Sequence, residues 1–427
     1  MRSVKEKKYV IAWLICSLGA VYYSYEYFLR ISPSVMDLAL REHFDLSASG
    51  FGFLSAFYYY AYVPLQVPVG VLLDRYGPRI LITLACLLCV VGTFLFAASQ
   101  FFWLSAIGRF LVGFGSAFAF VGVLKLATIW LPENKLAMVS GMAAALGTIG
   151  GMVGDNLLGY LVLNIGWKET VNFTAYFGIL LSIILWFGIR DQKSHRQHHG
   201  TISNFKKSMI DLGIIARNKQ IWINGTYGCL SYLPTTVFAE LWGISYFKNA
   251  QSMTQSAAYF ANSLVFLGFA IGAPLMGHLS DRLQLRKPPM MVGAFAAGTI
   301  MMIVLYLPGL SEFQINILMF ALGLFYSAQC IVFAVGRELS PNEAAGTAMA
   351  MTNMIVMLGA MLLQPLVGSL LDFSAVATQI PLEGIDKLHQ LYTRENYQFA
   401  LAIIPIGIFI AAILTFFLKE TYANVDK

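Results

Sequence analysis

Twelve apolar runs, each about long enough to cross a bilayer, take up most of this 427-residue chain. They lie at 9–31, 50–73, 79–99, 101–130, 136–163, 170–189, 220–246, 256–279, 288–308, 313–336, 343–372 and 396–418. A bilayer core needs roughly 20 residues of helix to cross it, and within it only helices and closed barrels satisfy every backbone N–H and C=O. Runs of this length therefore predict an all-α membrane protein with twelve transmembrane helices. Composition agrees: 58% of residues are hydrophobic and only 12% charged, about half the charged share of an ordinary globular chain, and the mean hydropathy is +0.68. The basic start MRSVKEKK precedes a run too long for a signal peptide, so a retained first helix is expected. Little chain is left for a soluble domain.

Lys and Arg in the short connections orient such a chain, because they collect on the cytoplasmic side. With a cytoplasmic N-terminus, the opposite side receives Arg41, Lys168, Lys248, Lys387 and Arg394, and three more (Arg30, Arg109 and Lys125) fall inside the runs. The other 20 of the 28 are then cytoplasmic. Both termini are expected on that side, which an even number of spans requires. The net charge of +6 follows from this asymmetry and points to no nucleic-acid partner.

The five cysteines, Cys16, Cys86, Cys89, Cys229 and Cys330, all fall in runs, where a thiol behaves as a small hydrophobe. Cys86 and Cys89 form a CxxC with no second pair or histidine nearby, so neither zinc nor redox chemistry is expected. In HRQHH, residues 195–199, the neighbouring Lys and Arg favour a solvated basic linker over a metal site.

The longest polar stretch, 190–219, has six runs before it and six after. Across it the halves repeat a motif. GVLLDRYGPR begins at Gly70 and GHLSDRLQLRK at Gly277, 207 residues later; LPENKLAMVSGM at 131–142 is echoed by LSPNEAAGTAMA at 339–350 at nearly the same offset. Two matches at one displacement argue for a duplicated six-helix unit, 1–189 and 220–427, with 190–219 as linker. A binding site midway between the halves is the usual partner of that plan.

GxxxDRxGxR after the second run, weakly repeated after the eighth, resembles the signature of the major facilitator superfamily, and span count, central linker and repeat extend the likeness over essentially the whole chain. The resemblance implies a monomeric secondary transporter without a cofactor. It implies close helix approach at Gly70, a charge partner and helix cap in Asp74, and a small gating ion cluster around Arg75, Gly77 and Arg79, with Asp281 and Arg282 as second-half counterparts. Arg109 opens RFLVGFG, similar to the family's RxxxGxG, and is expected either to bond loop carbonyls or to take part in coupling. The fifth run, GMAAALGTIGGMVGDN, carries Gly154-Asp155 where the family's drug exporters have Gly-Pro. Asp155 joins the coupling candidates, and uptake is favoured over export.

Charges inside the runs carry the functional reading. Tyr23, Glu26, Tyr27 and Arg30 form one polar stripe on the first helix. Lys125 lies deep in the fourth run, and Glu240 lies in the seventh with Tyr232 and Thr236 two turns and one turn before it. Each charge at a bilayer centre costs roughly 2.5–3.5 kcal/mol, so these four must face protein or water. In the superfamily, helices 1, 4, 7 and 10 line the central cavity.

Two readings follow. In the structural one, Glu26 pairs with Arg30 and Lys125 with Glu240, locking the bundle. In the functional one, Arg30 and Lys125 hold a substrate carboxylate, Arg by a bidentate grip, Glu240 faces a substrate amine, and Glu26 and Glu240 carry the coupled proton. The layout resembles that of proton-coupled oligopeptide transporters. Leu241-Trp242-Gly243 resembles an element of the branch that includes a lysosomal dipeptide transporter and bacterial relatives. Tyr59, Tyr62 and Gln66 on the second helix, Tyr326 and Gln329 on the tenth, and Asn353 and Gln364 on the eleventh suggest a wet cavity.

The expectation is proton-driven symport of a di- or tripeptide, or another zwitterion, across a bacterial inner membrane. An organic-anion symporter is the alternative, and a non-transporting receptor or scaffold is the alternative of another class. No Ser-His-Asp, Cys-His or metal-ligand set suggests an enzyme.

Overall fold

The computed structural model describes residues 4–98, 100–132, 136–190, 210, 212–341, 344–377 and 392–422, with backbone only at 4–8, 74, 136–138 and 140. Most of 190–219, including HRQHH, lies outside the described residues, and among those that are described there is no strand.

The helices are α1 (Val4–Val35), α2 (Asp37–Phe44), α3 (Ala48–Tyr76), α4 (Pro78–Ala98), α5 (Phe102–Trp130), α6 (Leu136–Ile165) and α7 (Trp167–Gly188). After 190–219 come α8 (Lys219–Ser231), a π-helix (Pro234–Trp242), α9 (Gly243–Asn249), α10 (Gln255–Leu283), α11 (Lys287–Tyr306) and α12 (Glu312–Tyr326). A 3-10 turn (Ser327–Cys330), α13 (Ile331–Glu338), α14 (Ala345–Ala377), α15 (Arg394–Leu401) and α16 (Ile403–Phe417) complete the chain. Among the described residues, ten helices are long and apolar enough to cross a membrane. The runs at 9–31 and 220–246 are not among them. Glu26, Arg30 and a row of tyrosines lower the hydropathy of α1, and the second run is divided by the π-helix.

Helices stop where local chemistry stops them. Ser47 caps α3, its hydroxyl accepting from the Gly50 N–H, and Gly77 ends the same helix at φ 84°, a conformation that costs glycine little. At the equivalent end of α10 the left-handed residue is Gln284, φ 52°. Ser311 with Gln314, and Thr393 with Asn396, form capping boxes.

Small residues let helices touch. A Cβ on Gly92 would lie 2.5 Å from the Gly108 carbonyl, and one on Gly108 2.6 Å from that of Gly92, so α4 and α5 meet backbone to backbone. Gly113 packs equally hard on the Tyr58 carbonyl.

Antiparallel α3 and α14 make the same kind of contact at one end only. Gly52 packs on Gln364 and Pro365, and Gly368 on Ala48. Further along, Asn353 Nδ2 donates to Gln66 Oε1 at 2.7 Å, and by Gly70 and Gly346 nothing lies within 4 Å of where a Cβ would sit. The two helices thus part towards the end bearing the Asp-Arg loops, where they border a cavity of about 350 Å³.

The opposite face is latched. Asp372 on α14 accepts the Ala48 and Ser49 N–H groups at 3.1 and 2.9 Å, capping α3 from the other half of the chain. Tyr392 donates to Asp372 at 2.5 Å, and Ser245 donates to Asp37.

Candidate functional site

The site begins with a four-residue step on α1. Glu26 and Arg30 stand one turn apart and are almost fully buried, 0% and 3% exposed. Arg30 Nη2 and Nε lie 2.5 and 3.1 Å from Glu26 Oε1. Tyr58 on α3 accepts from Arg30 Nε at 3.1 Å and donates to Glu26. The guanidinium carbon sits 4.7, 5.5 and 5.1 Å from the ring centres of Tyr27, Tyr58 and Tyr62, so an aromatic cage takes over part of its lost hydration.

Glu240 reaches this cage from the other half of the chain. Its Oε1 lies 3.8 Å from Arg30 Nη1 and accepts from Tyr27 at 3.4 Å, while Oε2 accepts from Tyr59. Tyr27 and Tyr232 share a 3.4 Å hydroxyl contact. Tyr23 stands edge-on to Tyr27, 6.2 Å between ring centres.

A π-helix places Glu240. Pro234 begins it, and the Gly243 N–H bonds Phe238 O, five residues back; such widened turns recur at functional sites. Two side-chain amides bond carbonyls of this buried turn: Gln364 Nε2 donates to Thr236 O at 2.7 Å, and Asn262 Nδ2 to Ala239 O at 2.9 Å. The same Asn262 nitrogen donates to Asp155 Oδ2 at 2.6 Å. Asp155, on α6 and fully buried, is therefore tied to the residue before Glu240.

Arg109 bonds carbonyls inside a helix and not the loop carbonyls expected. Its Nη1 and Nη2 donate to Leu29 O and Arg30 O at 2.8 and 3.2 Å, bracing the segment that carries Arg30.

Lys125 does not join the group. Gly19 packs on Val123 and Leu126, eleven residues before Arg30, about 16 Å along a helix, and Lys125 is half-buried at that level. The opposite charge nearest Glu240 is Arg30, in place of the Lys125 expected from the structural reading.

At the loop face Gly70 borders the open cavity and meets no neighbouring helix, contrary to the close approach expected there; Arg75 lies 4.9 Å from the Tyr76 ring, and Arg79 Nε donates to Trp186 O at 2.9 Å. The side chain of Asp74 lies outside the described residues. In the second half Arg282 is exposed, and Asp281 pairs instead with Arg286 Nη1 at 2.6 Å. Arg286 Nη2 also meets Glu338 at 2.6 Å, and the backbone N–H groups of Arg286 and Lys287 bond Glu420. Burial alone would weaken the charge on Arg286, but the bonds to Glu338 and Asp281 raise its pKa above the ordinary arginine value. Arg286 stands nine residues after Gly277, as Arg79 does after Gly70, and that spacing was the signal for it. Tyr58 was legible in the same way, one turn before Tyr62 and two before Gln66.

Residues 15–363 match the model of the Major Facilitator Superfamily, and the chain belongs to that family of multi-pass membrane transporters. It is 25% identical over 380 residues to the lysosomal dipeptide transporter MFSD1 of Homo sapiens, covering 85% of this chain and 80% of the relative. It is 21% identical over 287 residues to the probable sulfoacetate transporter SauU of Cupriavidus necator, covering 64% of this chain and 66% of SauU, just under two thirds of its length. In fold it resembles the crystal structure of a bacterial homolog of the human lysosomal transporter Spinster in an inward-facing, unoccupied conformation, with a TM-score of 0.74 at 16% identity over 96% of this chain and 97% of that one.

Proposed function

We propose that this protein is a proton-coupled importer of a small zwitterion carrying a carboxylate, a di- or tripeptide first. The observation that carries this reading is one buried guanidinium, Arg30, facing two carboxylates, Glu26 beside it on α1 and Glu240 from the other half of the chain.

Glu26 and Glu240 share the N–H groups of one guanidinium, so a proton on either acid leaves the other still paired with Arg30. A substrate carboxylate reaching Arg30 competes with Glu26 and Glu240 for its N–H groups, and the carboxylate displaced takes the proton or the substrate ammonium. Loading with substrate and loading with a proton are then one event. The tyrosines set the geometry, since Tyr58 and Tyr59 each hold one of the acids.

In this reading the chain has twelve spans with both termini cytoplasmic, in a bacterial inner membrane. Residues 1–189 and 220–427 are two bundles that rock about Arg30 and Glu240. The gap between α3 and α14 at Gly70 and Gly346 makes the present state open to the cytoplasm. Gly70, Asp74, Arg75, Gly77, Arg79, Asp281 and Arg282 form the cytoplasmic gate, to which the geometry adds Arg286. Lys125 acts along the route, at a different depth from the carboxylate grip.

A second reading, an organic-anion symporter, is favoured by the likeness to SauU. Proteoliposomes under an imposed pH gradient separate the two. Uptake of labelled alanyl-alanine that is lost in Arg30→Ala and loses its gradient dependence in Glu26→Gln or Glu240→Gln supports the zwitterion reading. Full gradient dependence in both glutamine variants defeats the coupling assignment, and uptake of sulfoacetate alone, indifferent to Glu240→Gln, selects the anion reading.

A further inference from the structure

Beyond the latched seam, on the face away from the Asp-Arg loops, lies a cavity of about 340 Å³, within the usual range for small-molecule sites of roughly 300–1,000 Å³. Both halves build its wall: Ser34, Asp37 and Arg41 from α1 and α2, Ser245 and Lys248 from α9, and Tyr259 from α10. Ser34 follows Arg30 by four residues, about 6 Å along a helix. A solute coming from that face meets this cavity immediately before the central site.

Four charged residues line it, Asp37, Arg41, Glu42 and Lys248. Arg41 is engaged, with Nε on Leu46 O at 3.3 Å, Nη2 on the Tyr392 hydroxyl at 3.4 Å, and the guanidinium 5.0 Å from the Tyr392 ring centre. Asp37 accepts the Ser245 hydroxyl on Oδ2, while its buried Oδ1 accepts no hydrogen bond among the described residues. Among those residues Lys248 forms no ion pair within 4.0 Å. Asp37 and Lys248 therefore act on each other through space without closing into a contact pair, and partly desolvated charges held so are costly. A ligand of one sign relieves only one of them; a ligand bearing both signs relieves both.

We propose that this cavity is an outer binding site for a zwitterion, with the ammonium at Asp37 and the carboxylate at Lys248. It rests on the zwitterion reading of the central site. Because the two halves share its wall, the outer site exists only while this face is closed, so opening the face dismantles it beside an accessible Arg30.

The test is the binding stoichiometry of radiolabelled alanyl-alanine on the purified full chain in nanodiscs, by equilibrium dialysis, with melting points reporting which variants fold. Two molecules per native chain are expected, one in Lys248→Met, one in Arg30→Ala, and none in the double variant. Asp37→Asn should weaken the outer site at least tenfold, and Glu240→Ala replaces Arg30→Ala if the latter does not fold. One molecule per native chain, lost in Arg30→Ala and kept in Lys248→Met, overturns the outer site and leaves the central reading standing. One molecule lost in Lys248→Met and kept in Arg30→Ala leaves the outer site standing and overturns the central reading. No saturable binding to the native chain overturns both.

Discussion

Arg30 is buried among three rings and two acids. Removing one member of a buried pair costs about 3–5 kcal/mol, since the partner is left unpaired. Arg30→Ala is therefore expected to lower the melting point in detergent sharply as well as abolish uptake, and Arg30→Ala with Glu26→Gln to recover part of the stability without uptake. Tyr59→Phe removes the donor to Glu240; a hydrogen bond to a charged group contributes roughly 1.5–3 kcal/mol, and the same loss should raise the apparent KM more than tenfold if Tyr59 holds Glu240 ready for substrate. Gln284 is a cheaper fault: a non-glycine residue at φ 52° where the first half has Gly77. Gln284→Gly is expected to stabilise by about 1 kcal/mol, read as a shift to higher denaturant or temperature at unchanged uptake.

At the scale of elements, the packing of α5 on α3 sets where Tyr58 stands. A Cβ at position 113 would collide with the Tyr58 carbonyl, so Gly113→Ala must push α3 away from α5. The expected outcome is a cost of about 1–3 kcal/mol together with a loss of uptake larger than that destabilisation explains, because Tyr58 links Glu26 to Arg30. Thermal melts and initial uptake rates on the same preparation check it. The π-helix makes the converse case: Gln364 and Asn262 hold Thr236 O and Ala239 O, and the width of that turn directs Glu240 at Arg30.

For the whole molecule, contacts between the two halves tie α3 to α14 on one face and leave them apart on the other. Asp372 on α14 bonds the first amides of α3 across the two halves of the chain, on the face away from the Asp-Arg loops. Asp372→Ala should therefore free Ala48 and Ser49 and raise their hydrogen exchange at least tenfold, which corresponds to about 1.4 kcal/mol. Unchanged exchange at these amides would mean the latch contributes nothing to closure. At the other end Arg286 gathers Asp281, Glu338 and Glu420, a network contained in one half of the chain.

Hydrophobic run length, the repeat at an offset of 207 and the charges within runs were determined by the sequence alone. Each follows from a local rule: a bilayer excludes unpaired backbone, duplication copies spacing, and buried charge must find company. Which charges keep company was decided by the tertiary structure. On a helix of 3.6 residues per turn the stripe Tyr23, Glu26, Tyr27, Arg30 was legible, but depth across helices was not. Lys125 and Glu240 both sit within apolar runs, yet helix packing at Gly19 sets the lysine about 16 Å away and a π turn aims the glutamate at Arg30. No local pattern marks a five-residue hydrogen-bond step, and none aligns one helix with another, because both depend on groups far apart in the chain meeting in space.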